Sequence, residues 1–498
     1  LFSISPVESS FITLCLLSIS RLLVAKRSSV ESWRQKSTLS LGGKFRMIKK
    51  FGWRFAATLG SLGLATALIA TTAGATATLS GDLTFNTSGY SALAPSFGGS
   101  TFDEPYLDAA LPIYMTEATN DSTSGDAPTG FPLYDGVGSS AGKKGVEAGT
   151  FQVGFTDVPL GTDTGLSGNV ALDTNLSGSS PALTLSDYIQ VPIDLGGVAI
   201  TYNLPTVTKK FPKTPIILNA SVLAQIYTGA ITTWNNPAIV KLNPKISTTT
   251  VKKNKKGKVI SKKTKTDLPS TSIIPVYRAD GSGTSFAFMS YLYAQDPSIF
   301  SSLSGITSTT AFPGTSWPAI LPSNALGAQK SAGVAYDVQE TQGSIGYVEY
   351  SYLASDSLAA ANIVNKAGHA EPVNSTTVAA DAASFSSTPP TEGTNGVVGN
   401  FSIANGSATN AYPISTYSWA VIPQDFATIG ISADSASSTG GLAGETLIAK
   451  FFDWAVQDGG GQTVAAKEGY VPLPSYLSAL AEKQIATLTY NKTPIVLN

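Results

Sequence analysis

The sequence predicts an α/β protein of two domains behind a leader segment, and three observations carry that prediction. The chain has 498 residues, more than a single hydrophobic core usually serves. Its composition, 42% hydrophobic and 13% charged with Gly-rich and Ser-rich loops, is that of a globular chain. Short apolar runs alternate with Gly-rich turns and helix-like stretches, as in "FQVGFTDVPL" and "YIQVPIDLGGVAITYNLP". That is the pattern of a sheet whose loops at the strand ends are free for function.

The leader comes first. Residues 47–77, "MIKKFGWRFAATLGSLGLATALIATTAGATA", have a basic start, an apolar middle and small residues at Ala75 and Ala77, as a secretory signal peptide cleaved after one of them does. An uncleaved membrane anchor is the alternative, although Ser61, Gly63 and Thr66 dilute the apolar stretch. Residues 1–46 precede Met47 and are expected to be translated upstream sequence. The one cysteine, Cys15, lies there, which leaves the remainder without a disulfide, a thiolate metal site or an acylated anchor. From residue 78 onward, 22 Lys and Arg face 31 Asp and Glu, a net charge of −9. A chain of that charge has no general attraction for nucleic acid, and a small anion can be held only by local geometry.

From Leu79 to Pro205 the pattern is that of the sheet, and Val198, Ile200 and Tyr202 alternate like a strand leaving it. A new, helical unit begins at "ILNASVLAQIYTGAITTWNNPAIVKLNP", with Asn219 or Ser221 as cap and Leu223, Ile226 and Tyr227 as inner face. "VKKNKKGKVISKKTKT", residues 251–266, holds eight lysines around a turn at Gly257 and reads as a projecting hairpin or a disordered loop. It is either a solvated loop or a contact for an anionic cell envelope. "STTVAADAASFSSTPPTEGTNGVVGNFSIANGSATN" reads as irregular surface structure before the strand-like "YPISTYSWAVIP". The C-terminal region reads as two helical pieces around the Gly-rich turn near Gly459.

The usual equipment of enzymes is sparse. The one histidine, His369, sits among turn residues, which excludes a His-rich zinc site and offers a catalytic triad a single poor candidate. No G-x-S-x-G elbow occurs at "DGSGTS", and "GVGSSAGKKG" lacks the Walker A spacing. What recurs is a bare helix start. In "YRADGSGTSFAFMSYL", Tyr277 to Leu292, the spacing of Phe286, Met289 and Tyr293 predicts a helix from about Ser282. The small residues before it let an anion approach unpaired backbone N–H groups. A plain N-cap with a tight turn is the other reading of this stretch taken alone. "GGSTFDEPYLDAAL" and "GVGSSAGKKGVEAG" repeat the pattern, and "VGFTDVPL" adds Asp157 after a strand. Three such ends in one acidic, His-poor chain favour a binding site.

The motifs "GGSTFDEPY", "GVGSSAGKKG", "GFTDVPL", "GGVAITYNLP", "IYTGAITTWNNPAIVKLNP", "YRADGSGTSFAFMSYL", "GSIGYVEYSYL" and "KFFDWA" followed by "YVPLP" occur in that order from about Gly98 to the C-terminus. In this the chain resembles the extracytoplasmic phosphate-binding proteins that serve high-affinity phosphate ABC transporters. The resemblance implies an α/β, two-lobed type II periplasmic-binding-protein fold with the ligand cleft between the lobes. Residues 78–203 and 414–498 would form lobe 1, and 204–413 lobe 2. It further implies a monomer without cofactor or covalent chemistry, periplasmic or extracellular, which captures inorganic phosphate and delivers it to a permease in the cytoplasmic membrane.

Carried over motif by motif, the resemblance implies a phosphate site made of Thr101, the Phe102 amide, Ser139, Asp157, Arg278, Ser282, Gly283 and Thr284. Arg278 would supply planar paired donors, Asp280 would orient it from behind, and Asp157 would accept the ligand's own proton. Phosphate carries such a proton at neutral pH and sulfate does not, so Asp157 would discriminate between them. Two departures stand out: acidic Asp103 and Glu104 where the family has apolar or small residues, expected to alter the cleft rim, and the lysine-rich insertion after Pro244. The competing functions are a secreted phosphoester hydrolase on the same fold and an adhesive envelope protein.

Overall fold

The computed structural model describes residues 97–121, 134–148, 150–158, 160, 187–295, 314–318, 320–392, 398–399, 403–426 and 441–497. The expected upstream segment and signal peptide, 1–46 and 47–77, lie outside the described residues.

The first apolar runs form short parallel strands with helices between them. β1 (Phe97–Gly99) leads into α1 (Glu104–Asp121), β2 (Tyr134–Gly136) into α2 (Ser139–Glu147), and β3 (Val153–Thr156) flanks β1 on the side away from β2. β4 (Tyr188–Tyr202) is buried along all 15 of its residues. It is covered on both faces, which is why its sequence is a near-continuous apolar run.

The helical unit follows: α3 (Pro205–Lys210), β5 (Ile217–Leu218), α4 (Ala220–Tyr227) and α5 (Pro237–Leu242). The cap of α4 is Asn219, whose side chain accepts the Val222 amide at 2.9 Å, and Leu223, Ile226 and Tyr227 are buried as their spacing predicts. The lysine-rich insertion is a hairpin, β6 (Ser247–Lys253) and β7 (Val259–Thr266), turning at Gly257 with φ 77°. Then come β8 (Ile274–Arg278), α6 (Gly283–Gln295), β9 (Leu326–Ala328), α7 (Lys330–Glu340), β10 (Ser344–Glu349), α8 (Ser351–Ser355) and β11 (Ala359–Ala360).

The larger sheet has nine strands in the order β2-β1-β3-β12-β4-β10-β8-β9, where β12 is Ser415–Pro423 and β11 pairs with β4 off this path. β4 holds it together. From Tyr188 to Gly197 it runs antiparallel to β12, and from Val198 to Tyr202 antiparallel to β10. At that change of partner the Val198 amide donates to the Ile414 carbonyl, and the Gly197 carbonyl accepts the Tyr350 amide. The sheet therefore has two halves that share one strand, the arrangement of a two-lobed α/β protein, and the main hydrophobic core draws on both.

Two expectations need correction. Residues 375–383, expected to be irregular, form α9, because Asn374 and Thr377 make a reciprocal capping box and Val378, Asp381 and Ala382 are buried. The small polar composition hid the cap. The C-terminal region has three helices, Gly441–Ala455, Gly461–Lys467 and Ser475–Ile485, since Gly469 at φ 93° and the prolines at 472 and 474 divide the second expected piece. No helix among the described residues is long and apolar enough to cross a membrane.

Candidate functional site

Three chain segments that the sequence marks as bare helix starts meet at the sheet's strand ends. The first is the turn after β1, which carries Ser100, Thr101 and Phe102; the second is the start of α2 at Ser139; the third runs from the end of β8 at Arg278 into α6. The contacts between them are direct. The Ser139 hydroxyl accepts the Gly283 amide at 3.0 Å, and the Ser140 amide donates to the Gly281 carbonyl at 3.2 Å. Thr101, Phe102, Ser139, Asp157, Arg278, Ser282, Gly283 and Thr284 are all buried, and Asp280 is half-buried.

Arg278 is the centre of the arrangement, with only 2% of its surface exposed. Its Nε donates to Asp280 Oδ1 at 2.8 Å, and its Nη2 pairs with Asp280 Oδ2. Its Nη1 reaches the hydroxyls of Thr101 and Ser331, each at 2.9 Å. Two contacts from Asp280 thus fix the guanidinium plane. Although burial pulls the other way, the hydrogen bond and charge of Arg278 hold the Asp280 carboxyl below the usual range. The Lys330 amide adds a bond to Asp280 at 3.1 Å.

Asp157, at the end of β3, faces hydroxyls rather than cations. Oδ1 accepts Ser418 at 2.7 Å and Oδ2 accepts Ser100 at 2.9 Å, while Ser139 lies 3.5 Å away, too far for a strong bond. Burial pushes its carboxyl up to about 7, against the opposing pull of the Ser418 and Ser100 hydroxyls. An acid so poised has room both to accept and to hold a proton near neutral pH. The helix start is pressed against it: a Cβ at Gly283 would lie 2.2 Å from Asp157 Oδ2 and 2.5 Å from Ser139 Oγ. Gly138, just before α2, is equally constrained, with φ 95° and Asp280 Oδ2 only 2.8 Å from where a Cβ would sit.

Not every predicted donor points outward. The Phe102 amide is taken by the Ser100 hydroxyl at 3.0 Å, and the Phe102 ring packs edge-on against Tyr470. The Ser282 amide donates to the Thr315 carbonyl at 2.9 Å, while the Ser282 hydroxyl caps α6 by accepting the Ser285 amide at 3.1 Å. The Thr284 hydroxyl donates to Glu349 Oε1 at 2.7 Å. With the walls in contact, these groups satisfy one another, as buried polar groups must.

Sequence reasoning missed five side chains here. Ser100 and Ser418 hold Asp157; Ser331 joins Arg278, Thr101 and Glu349; Glu349 receives both Thr284 and Ser331; Tyr347 receives the Arg278 amide at 3.0 Å and the Trp317 indole N–H at 2.8 Å. Ser331 follows Lys330, whose left-handed conformation with φ 60° at the start of α7 is visible only in the structure. Asp103 also departs from expectation. It lies fully buried, not at the rim, against Asp194 of β4, and neither acid has a cationic partner among the described residues. Burial raises both carboxyls well above the usual range; the charges of Asp194 and Asp157 add to the rise at Asp103, and those of Asp157 and Glu349 add to it at Asp194.

His369 is exposed on its turn, remote from these contacts. The site offers one buried guanidinium, one near-neutral carboxyl and a ring of hydroxyls and helix-start amides. That set suits a small, partly protonated oxyanion.

Several known proteins are similar to this chain. The phosphate-binding protein PstS of Haemophilus influenzae is 28% identical over 390 residues, 78% of this chain and 91% of its own. The phosphate-binding protein PstS of Pasteurella multocida is 29% identical over 343 residues, 68% of this chain and 78% of its own. A solved phosphate-binding protein from Stenotrophomonas maltophilia is 18% identical and covers 78% of this chain and 94% of its own, with a TM-score of 0.46. A PBP superfamily domain matches residues 92–458, nearly the whole of the described region that builds the sheet and the site, and the chain belongs to that superfamily.

Proposed function

We propose that this protein captures inorganic phosphate outside the cytoplasmic membrane and hands it to the permease of an ABC transporter. One observation carries the reading: the buried Arg278, fixed by Asp280, stands in the same enclosed set of hydroxyls and helix starts as Asp157, a carboxyl poised near neutrality. A monoanionic or dianionic phosphate needs both partners, a charge-assisted donor for its bare oxygens and an acceptor for its own proton. The two relatives described above are named phosphate-binding proteins, which supports the ligand in this reading.

In this reading the ligand takes over bonds that the walls now make with one another. Phosphate oxygens would replace Thr101 and Ser331 as acceptors for Arg278 Nη1, and Ser139 as acceptor for the Gly283 amide. The hydroxyls of Thr101, Ser139 and Thr284 would turn to donate. Asp157 would exchange a serine hydroxyl for the phosphate O–H. The lobes, 78–203 with 414–498 on one side and 204–413 on the other, would part at β4 to admit the ligand and shut around it, a hinge motion about a shared strand. No step breaks a bond, and the energy for transport comes from elsewhere.

Calorimetric titration of the purified protein with phosphate, sulfate and arsenate tests the reading. Phosphate binds, sulfate does not, and a chelator leaves the titration unchanged. Loss of phosphate binding on adding the chelator, or turnover of a phosphoester that disappears in Ser139→Ala, would establish a metal-dependent or hydrolytic protein instead.

A further inference from the structure

The β6–β7 hairpin is the part of the molecule that the phosphate reading leaves without a task, and it supplies no residue to the site. All 18 residues from 248 to 265 are exposed, so both faces of the ribbon meet solvent. The ribbon is nevertheless well built. Asn254 Oδ1 accepts the amides of Lys256 and Lys258, each at 3.0 Å, and Thr249 and Thr264 bond across the strands at 2.9 Å. At its base Asp267 is held by Lys210 at 2.6 Å and by Thr248 at 2.6 Å, which ties the hairpin to α3.

Its charge runs against that of the chain. Residues 247–266 contain eight lysines and no Asp or Glu, whereas the rest of the chain from residue 78 has 14 Lys and Arg against 31 Asp and Glu. None of the eight lysines is in an ion pair among the described residues. Like charges held this close repel one another, and the chain gains nothing internally from the arrangement.

The hairpin also exposes aliphatic side chains. Val251 is 43% exposed, Val259 51% and Ile260 63%, three of the seven large hydrophobic residues that are exposed among the described residues. The cross-strand register puts Val251 opposite Lys262 and Val259 opposite Lys253 on one face, with Ile260 beside them where the register shifts. Lysines alone would serve to keep a free strand edge from pairing with another chain. Aliphatic residues among them would not.

We propose that this hairpin docks the protein on the surface of an anionic lipid bilayer. Lysines are drawn to the negative surface within a Debye length, about 10 Å at 0.1 M salt, and short aliphatic side chains enter the headgroup boundary between them. The acidic body is repelled by the same surface, so the molecule is held hairpin-first. The device gives a chain with no cysteine after Cys15 a reversible hold on the membrane. It stands independently of the ligand in the cleft.

The test is flotation of the protein, purified from the secreting cell, with vesicles of phosphatidylcholine alone or with phosphatidylglycerol at one part in three. At 50 mM salt the protein floats with the anionic vesicles and not with the neutral ones. Binding falls at least tenfold at 500 mM salt and in the variant carrying Lys252→Gln, Lys253→Gln, Lys262→Gln and Lys263→Gln. It falls several-fold when Val251, Val259 and Ile260 are replaced by serine. Circular dichroism and thermal melting of both variants, unchanged from wild type, verify that they are folded. Equal binding by wild type and the Gln variant, or none at 50 mM salt, overturns the proposal. If a soluble polyanion competes fully and the serine variant binds like wild type, the hairpin is a polymer-binding element and the bilayer is not its partner.

Discussion

Two pairs of buried ionisable side chains lie within one site and are managed in opposite ways. Arg278 and Asp280 carry opposite charges, and the guanidinium fork meets the carboxylate at two points while its remaining nitrogen faces hydroxyls. Asp103 and Asp194 carry like charges if both ionise, and no cation among the described residues relieves them. The first pair is a charge held ready, its geometry set before a ligand arrives. The second is charge withheld, because burial disfavours the ionised form of each carboxyl and nearby negative charge disfavours it further. Asp157 stands between these extremes, hydroxyl-bonded and balanced near neutrality. The site is thus not simply basic. It combines one fixed positive charge with carboxyls that take or release protons, a reasonable design for an anion that itself carries one.

The largest break in this comparison comes from Arg278→Ala. Removing one member of a desolvated pair leaves Asp280 buried without its partner and the anion without its main donor, and phosphate affinity falls by about 2 to 5 kcal/mol. Arg278→Lys recovers only part of it, since a point charge cannot reproduce the fork. Calorimetry of both variants checks this, and unchanged affinities in both would mean that the Arg278 stretch is only a capped turn.

Asp157→Asn sharpens the middle case. The amide offers a hydrogen where the carboxylate offered an acceptor, so sulfate gains on phosphate by roughly 1 to 3 kcal/mol in the ratio of affinities. Competition titrations at fixed pH and salt read the ratio directly. A uniform weakening toward both anions would point to structural damage.

Gly283→Ala tests how closely the two walls meet. Its Cβ would sit 2.2 Å from Asp157 Oδ2 and 2.5 Å from Asp157 Cβ, and although the carboxylate can rotate, the Asp157 Cβ moves only with its backbone. The walls must separate, and phosphate affinity drops by about 1 to 3 kcal/mol. Circular dichroism and thermal melting of the unliganded variant should remain close to wild type, because the opened arrangement tolerates the methyl.

The smallest effect concerns the like-charged pair and the pH dependence of stability. Carboxyls raised on folding, as Asp103, Asp194 and Asp157 are, stabilise the protein fully below their unfolded value of about 4, and the contribution is lost as pH rises through the folded value. For Asp157 that loss is complete a little above about 7. Asp280, lowered by Arg278, acts in the opposite sense and loses its contribution only as pH falls below the ordinary carboxyl range. The unliganded protein should therefore melt highest in mild acid and lower at pH 8. Asp103→Asn, which cannot ionise, should flatten that decline and raise stability at pH 8 by roughly 1 kcal/mol. Melting curves from pH 4.5 to 8 check it, and an undiminished slope in the variant would place the pH sensitivity elsewhere.

Part of the site was legible because its signals are local. Helix starts with glycine and hydroxyl residues at Ser139 and Ser282, a strand end carrying Asp157, and the Arg278–Asp280 spacing are each patterns spanning only a few residues. The same holds for the Asn219 cap and for the Gly257 turn of the lysine-rich hairpin. Asp103 marks the limit. Its departure from the small or apolar residues of the family suggested an altered rim, yet it is buried, and β4 supplies Asp194 beside it, a neighbour 91 residues away that no local pattern announces.

The sequence alone determined which segments could become strands and helices, that three helix starts would carry glycine and hydroxyl residues, and that the hairpin would be basic, because periodicity, capping and turn chemistry act over a few residues. Only the tertiary structure decided which hydroxyls serve which charge. Arg278 reaches Thr101 across 177 residues and Asp157 takes Ser418 across 261, pairings made when β4 is shared between β12 and β10. It decided too that the Phe102 and Ser282 amides are satisfied within the walls, since a buried donor takes the nearest acceptor that packing brings to it, and packing is a property of the whole chain.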